Sequence, residues 1–143
     1  MQGVNADDRN DRNALLLAMD LINKGNSFDS LGDPKEALRC YDEAERILKP
    51  QKGKDEIIVG ELLLASNRAV AYNNLGDRKT SILQLDHALK LIDHVSANAK
   101  HAWNISLDFK NDLLLEKAVT LAGMGNMKRG NADLQGGAFK ATE

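Results

Sequence analysis

Few residues of this 143-residue chain are of a type and spacing that could do chemistry, and the most regular are its three histidines. His87, His94 and His101 recur every seven residues, which suggests a metal stripe. Seven residues of helix span about 10.5 Å, whereas one ion holds its ligands at about 2 Å. Pairs at three- or four-residue spacing are absent, and a helix end near His94 or Ser96 would break the line, so these read as surface histidines. Cys40, the one cysteine, falls mid-helix beside Tyr41 with no histidine near in sequence, the setting of a partly buried structural thiol and not of a nucleophile. The chain contains no GxxxxGK, HExxH or GxSxG signature and no GxGxxG behind a strand. The glycines of "AGMGNMKRGNADLQGG" also lack the strand that a phosphate-binding loop requires. The sequence therefore predicts no catalytic residue, no cofactor and no metal, and a chain that is not an enzyme.

Composition narrows the class. Lys and Arg (19) nearly balance Asp and Glu (21), for a net charge of −2, without the basic excess of a nucleic-acid binder. Two prolines and 4% aromatic residues, with many Leu, Ala, Asn and Lys, favour helices. A lone cysteine cannot close an internal disulfide, and a reducing compartment is the simplest setting. No stretch approaches the length of a membrane span, and "MQGVNADDRNDRN" is polar where a signal peptide would be apolar. Asn104-Ile105-Ser106 matches a glycosylation acceptor, a triplet frequent by chance. The expectation is a soluble cytoplasmic protein without nucleic-acid binding or membrane insertion.

What would position any site is a repeated grammar. Around Gly32, followed by Asp33, lie Leu21, Gly25 and Phe28 at −11, −7 and −4, and Ala37, Tyr41 and Ala44 at +5, +9 and +12. Around Gly76-Asp77 the same offsets give Ala65, Ala69 and Tyr72, then Ser81, Leu85 and Ala88. Around Gly125-Asn126 they give Leu114, Ala118 and Leu121, then Gly130, Leu134 and Gly137. Steps of four and three keep each triplet on one helix face. Small members let two backbones approach to about 8–10 Å. Glycine at the marker accepts a left-handed helix end, and the following Asp or Asn caps the next helix. In the first copy Pro34 suits the first helical position and Glu36 forms a capping box with Asp33. Each copy is thus predicted to be a helix–turn–helix hairpin.

"NKGNSFDSLGDPKEALRCYDEAERILKP" and "SNRAVAYNNLGDRKTSILQLDHALKLI" resemble the tetratricopeptide repeat (TPR) family. Marker spacings of 44 and 49 residues exceed the family's 34, as in its long-repeat variants, with the excess at "QKGKDEIIVG" and "SANAKHAWNISLDFK". The resemblance implies an all-α fold of antiparallel hairpins stacked into a short right-handed α-solenoid. It would occupy residues 14–143 as repeats at about 14–51, 55–95 and 97–143, behind a polar segment 1–13 that could start the first helix. It also implies a concave groove lined by the first helices. By helical phase that groove carries Ile22, Asn26 and Asp29, then Ser66, Asn67, Val70, Asn73 and Asn74, then Asp112, Leu115, Glu116 and Val119.

The function so implied is a protein–protein interaction module, an adaptor or scaffold holding a peptide or helix of a partner. Asparagine both donates and accepts, which suits an extended backbone. The chaperone-tail clamp of some relatives needs two asparagines, matched by Asn26 and Asn67, and three cations, whose positions fall on Ile22, Asp112 and Glu116. Lys110 or Lys117 could substitute only in a shifted register. The groove is neutral to acidic, so a basic or amphipathic segment fits better. Trp103 is expected to anchor the lengthened helix against its neighbour, with an exposed hot spot for a partner as the alternative. The chain stops where a third hairpin would end, without a solvating helix, so self-association through that uncapped hairpin into a homo-oligomer is the alternative expectation.

Overall fold

The computed structural model describes residues 6–51, 54–102, 105 and 107–136. Among these the chain forms α1 (Ala6–Ser30), α2 (Pro34–Leu48), a 3-10 turn (Lys49–Gln51), α3 (Asp55–Asn74), α4 (Arg78–His94), α5 (Ala97–Ala102) and α6 (Leu107–Gly136), with no strand. Trp103 lies outside the described residues.

Two of the expected turns are built, and they match atom for atom. The N–H of Gly32 donates to the carbonyl of Asp29 at 3.0 Å and that of Asp33 to Phe28 at 2.9 Å; Gly76 donates to Asn73 at 3.0 Å and Asp77 to Tyr72 at 2.9 Å. This pair of bonds closes a helix end only if the glycine takes a positive φ, and the values are 86° at Gly32 and 85° at Gly76. The next residue then caps the following helix: Asp33 Oδ1 accepts from Glu36 N–H at 3.2 Å and Asp77 Oδ1 from Thr80 N–H at 3.1 Å. The Thr80 hydrogen bonds hold the Asp77 carboxyl below its usual range. The capping box at Asp33 is only half made. Its N–H is already spent on Phe28, and the Glu36 carboxylate lies 3.4 Å from Arg39 instead.

The small positions bring the helices together as their spacing requires. Ala37, Tyr41 and Ala44 of α2 are buried against α1, and a Cβ added at Gly25 would stand 2.5 Å from Tyr41 Cε1 and 3.1 Å from the Ala37 carbonyl. In the second hairpin Ala65, Ala69, Ser81, Leu85 and Ala88 are all buried, and Ser81 Oγ donates to the Ala69 carbonyl at 2.8 Å. One core joins α1, α2 and α3 around Ile22, Tyr41, Leu48 and Ile57. A second joins α3, α4 and α6 around Leu62, Leu85, Ile92 and Leu113, and Val59, Val95 and Ala99 seat α5 on α3.

One expectation is corrected, and two points that the sequence left open are resolved. Helix α1 starts at Ala6, inside the polar segment 1–13, since "ADDRNDRN" holds no Gly or Pro to stop it. The sequence leaves open whether 97–124 is one helix or breaks near Asn104, and among the described residues it holds two, α5 and the start of α6. Among the described residues the third hairpin is not formed. Helix α6 runs through Gly125 without reversing, and Gly32 and Gly76 are the only positive-φ glycines among the described residues. The phase of α6 is also one residue off the expected register: Leu113 (6%) and Thr120 (3%) are buried, while Leu114 and Leu121 are 46% and 47% exposed. Ion pairs from α4 fix that phase, Lys117 to Asp86 at 2.6 Å and Lys110 to Asp93 at 3.7 Å.

Alanine at the marker glycines has opposite expected signs. Gly76→Ala forces a side chain into the left-handed region and costs about 1–2 kcal/mol. Gly125→Ala, in mid-helix with no atom within 4 Å of the new methyl, gains about 0.5–1 kcal/mol. Urea unfolding midpoints check both, and a loss of stability in Gly125→Ala would mean that the chain turns there.

Candidate functional site

The expected groove residues fall on α1, α3 and α6, and a series of polar bonds ties these helices edge to edge. Asn74 Nδ2 of α3 donates to Asp29 Oδ1 of α1 at 2.9 Å. Asn73 Nδ2, one residue earlier, donates across to α6, to Glu116 Oε1 at 3.2 Å and Thr120 Oγ1 at 3.0 Å. The Thr120 hydroxyl then donates to the Glu116 carbonyl at 2.8 Å, which fixes the side chain that receives Asn73. Helix α4 lies antiparallel to α6, as the pairs Lys110–Asp93 and Lys117–Asp86 show, and it is hairpinned to α3, so α3 and α6 run parallel. One turn before Asn73 on α3 is Val70, and the matching turn of α6 carries Asp112 and Leu115.

This geometry divides the twelve residues. Ile22 does not belong: it is 2% exposed and packs in the first core, because α3 covers that side of α1. Ser66 Oγ donates to the Leu62 and Leu63 carbonyls of its own helix. Asn26 Oδ1 accepts the Tyr41 hydroxyl at 2.6 Å, so it serves the hairpin core. Asn73 and Asn74 act as joints between helices, and Asn67, half-buried, enters none of these bonds. The asparagines are thus mostly committed within the protein. What remains turned outward is apolar and acidic: Val70 (43% exposed), Leu115 (63%) and Val119 (59%), with Asp112 exposed and Asp29 and Glu116 half-exposed. The cations that a shifted clamp would need, Lys110 and Lys117, are paired with α4.

Sequence reasoning missed Arg68. It sits beside Asn67 but projects the other way, is 9% exposed, and donates from Nη2 to Asp42 Oδ1 at 2.8 Å and Glu45 Oε2 at 2.9 Å of α2. Burial alone would lower its pKa, but the bonds to Glu45 and Asp42 outweigh burial and raise it. The same hydrogen bond holds the Glu45 carboxyl below its ordinary range. The available signal was Asp42 and Glu45 three residues apart on one side of α2, an acceptor pair for one guanidinium. Beside it a cavity of about 240 Å³ opens between α2, α3 and α4, lined by Glu45, Glu61, Arg68, Gln84 and His87 among others. Burial pushes the Cys40 thiol above its ordinary value, disfavouring thiolate. Among the described residues no three His, Cys, Asp or Glu side chains converge on a metal position, and no helix is long and apolar enough to cross a membrane.

Comparison with family models, with curated proteins and with solved structures gives no match.

Two outcomes follow. In a double-mutant cycle, Asn73→Ala and Glu116→Ala couple by about 0.5–1.5 kcal/mol in urea unfolding, the worth of one bond between helices. The Glu45 contribution is present above its ordinary value of 4.5 and is lost as pH falls through the depressed folded value. Melting temperature therefore drops more steeply on acidification in the wild type than in Arg68→Met, which lacks that linkage.

Proposed function

We propose that this chain is a non-enzymatic protein-interaction module of the TPR type. It would take an amphipathic segment of a partner, basic on one side, against the face made by α1, α3 and α6. The observation that carries the reading is the company in which Val70, Leu115 and Val119 stand. Three large apolar side chains are exposed on parallel neighbouring helices and are bordered by Asp29, Asp112 and Glu116. An apolar strip with an acidic border matches a helix that carries apolar residues at three- and four-residue steps and Lys or Arg beside them. Support for the family reading comes from the two hairpins, whose glycine turns, aspartate caps and interlocking small residues repeat 44 positions apart. The lone buried Cys40 fits a reducing compartment, and the cytoplasm is the proposed location.

A display library of short random peptides panned on the full chain tests this. Enriched sequences are expected to combine Lys or Arg with apolar residues at helical spacing and to lose affinity as salt rises. Their affinity is expected to fall at least about tenfold, or about 1.4 kcal/mol, on the triple variant Val70→Ser, Leu115→Ser, Val119→Ser. Enriched peptides that are acidic, or that bind the triple variant as tightly as the wild type, would contradict the reading.

A further inference from the structure

Helix α3 carries a second functional face, on the side away from the groove. Glu61, Leu64, Ala65 and Arg68 follow one another at steps of three, one and three residues, which puts them on one side of the helix. Val70 and Asn73 lie about 200° and 140° round from Arg68, so the two faces are distinct. Helices α2 and α4 each pack on α3, and the cavity of about 240 Å³ lies between them over this side. Its floor is apolar, made by the buried Leu48, Leu64 and Ala65. The space equals about eight water molecules at ~30 Å³ each, which suits a molecule of amino-acid size and falls below the volume of drug-sized ligand sites.

The polar groups around this floor are not used up by the fold. Arg68, 9% exposed, spends only Nη2 on Asp42 and Glu45. A guanidinium carries five N–H donors on three nitrogens, and Nε and Nη1 donate to nothing among the described residues. Of the described side chains, the only sealed polar atom without a partner is Asn73 Oδ1. Nε and Nη1 therefore reach open space, and the cavity is the space that Arg68 lines. Together they suit a planar acceptor such as a carboxylate. Nearly two turns back, about 10.5 Å along α3, the half-buried Glu61 lines the same cavity. It has no hydrogen bond or ion pair among the described residues. A carboxylate above an apolar floor loses hydration, which a ligand ammonium replaces. Glu45 gives one oxygen to Arg68 and keeps the other, and that bond favours its ionised form. Asp42, Glu45 and Glu61 outnumber Arg68 and Lys49 by one, so the complementary occupant carries both signs of charge and is positive overall.

We propose that this trough binds a free basic amino acid of the lysine type. Its α-carboxylate lies on Nε and Nη1 of Arg68 and its α-ammonium on the free oxygen of Glu45. Its aliphatic stem crosses Leu64 and Ala65, and its terminal ammonium meets Glu61. Each polar group of the ligand thus finds a group that the fold leaves unengaged. The site lies across α3 from the groove, and it holds or fails apart from the groove reading.

An NMR titration of the full chain with L-lysine, L-norleucine and 1,5-diaminopentane tests the proposal. Norleucine lacks the terminal ammonium and diaminopentane lacks the carboxylate. Lysine is expected to give saturable amide shifts centred on 45–49, 61–68 and 84–87 within about 10 mM, and the other two probes to bind at least about tenfold more weakly. Glu61→Gln is expected to weaken lysine at least about tenfold and to leave norleucine unchanged. Arg68→Lys keeps a cation for Asp42 and Glu45 but removes the Nε and Nη1 donors, and a similar loss is expected there. If that variant does not fold, Glu61→Gln decides. No saturable shift with lysine, norleucine bound as tightly as lysine, or undiminished lysine binding in Glu61→Gln would each overturn the proposal. So would shifts centred on Val70 and Leu115, which would mean that lysine enters the groove instead.

Discussion

The fold depends on a side chain that is missing. At Gly25 the helix surface has no Cβ, and the Tyr41 ring occupies that space, 1% exposed, at a distance no alanine would permit. A buried aromatic ring removes about 150–250 Å² from water, worth up to about 4–6 kcal/mol, but only where a neighbouring backbone comes close enough to cover it. The hydroxyl at the ring's end would cost stability if buried alone, and Asn26 accepts it at 2.6 Å. Burial and, to a lesser extent, the nearby Asp29 charge push the Tyr41 hydroxyl up to about 12. That stability is full below the ordinary value of 10.0 and is lost as pH rises through the folded one.

Once two helices lie that close, the chain must reverse within a residue or two. Gly32 and Gly76 permit it because they alone can take the required φ without strain. The hairpins then meet one another through polar groups as well as apolar ones. Asn74 reaches Asp29, Asn73 reaches Glu116 and Thr120, and Arg68 reaches Asp42 and Glu45. These bonds fix which side chains of α1, α3 and α6 are left facing outward. The exposed Val70, Leu115 and Val119 are a consequence of where the asparagines are spent.

Much of this was legible in sequence because it is local. A glycine followed by Asp, with small residues at fixed offsets, carries its own geometry, and both such copies fold as their spacing predicts. Ile22 could have been set aside too, since an isoleucine between Ala18 and Gly25 on one helix face is already core. The third copy was not legible, for a physical reason. "DLLLEKAVTLAGM" places leucine at 113, 114 and 115, so two helix phases bury an equal apolar stripe. The choice between them is made by Asp86 and Asp93 of α4, partners remote in sequence. Nor does a glycine oblige a chain to turn. At Gly125 the following Asn126 can continue the helix as well as cap a new one, and continuation leaves a prepared face without its second helix.

The central claim is that one packing face recurs three times along the sequence and, among the described residues, is closed only twice. Backbone chemical shifts and amide–amide contacts measured by NMR across residues 120–130 test it most directly. Uninterrupted helical shifts through Gly125, beside left-handed signatures at Gly32 and Gly76, are the predicted result. A left-handed signature at Gly125 as well would contradict it.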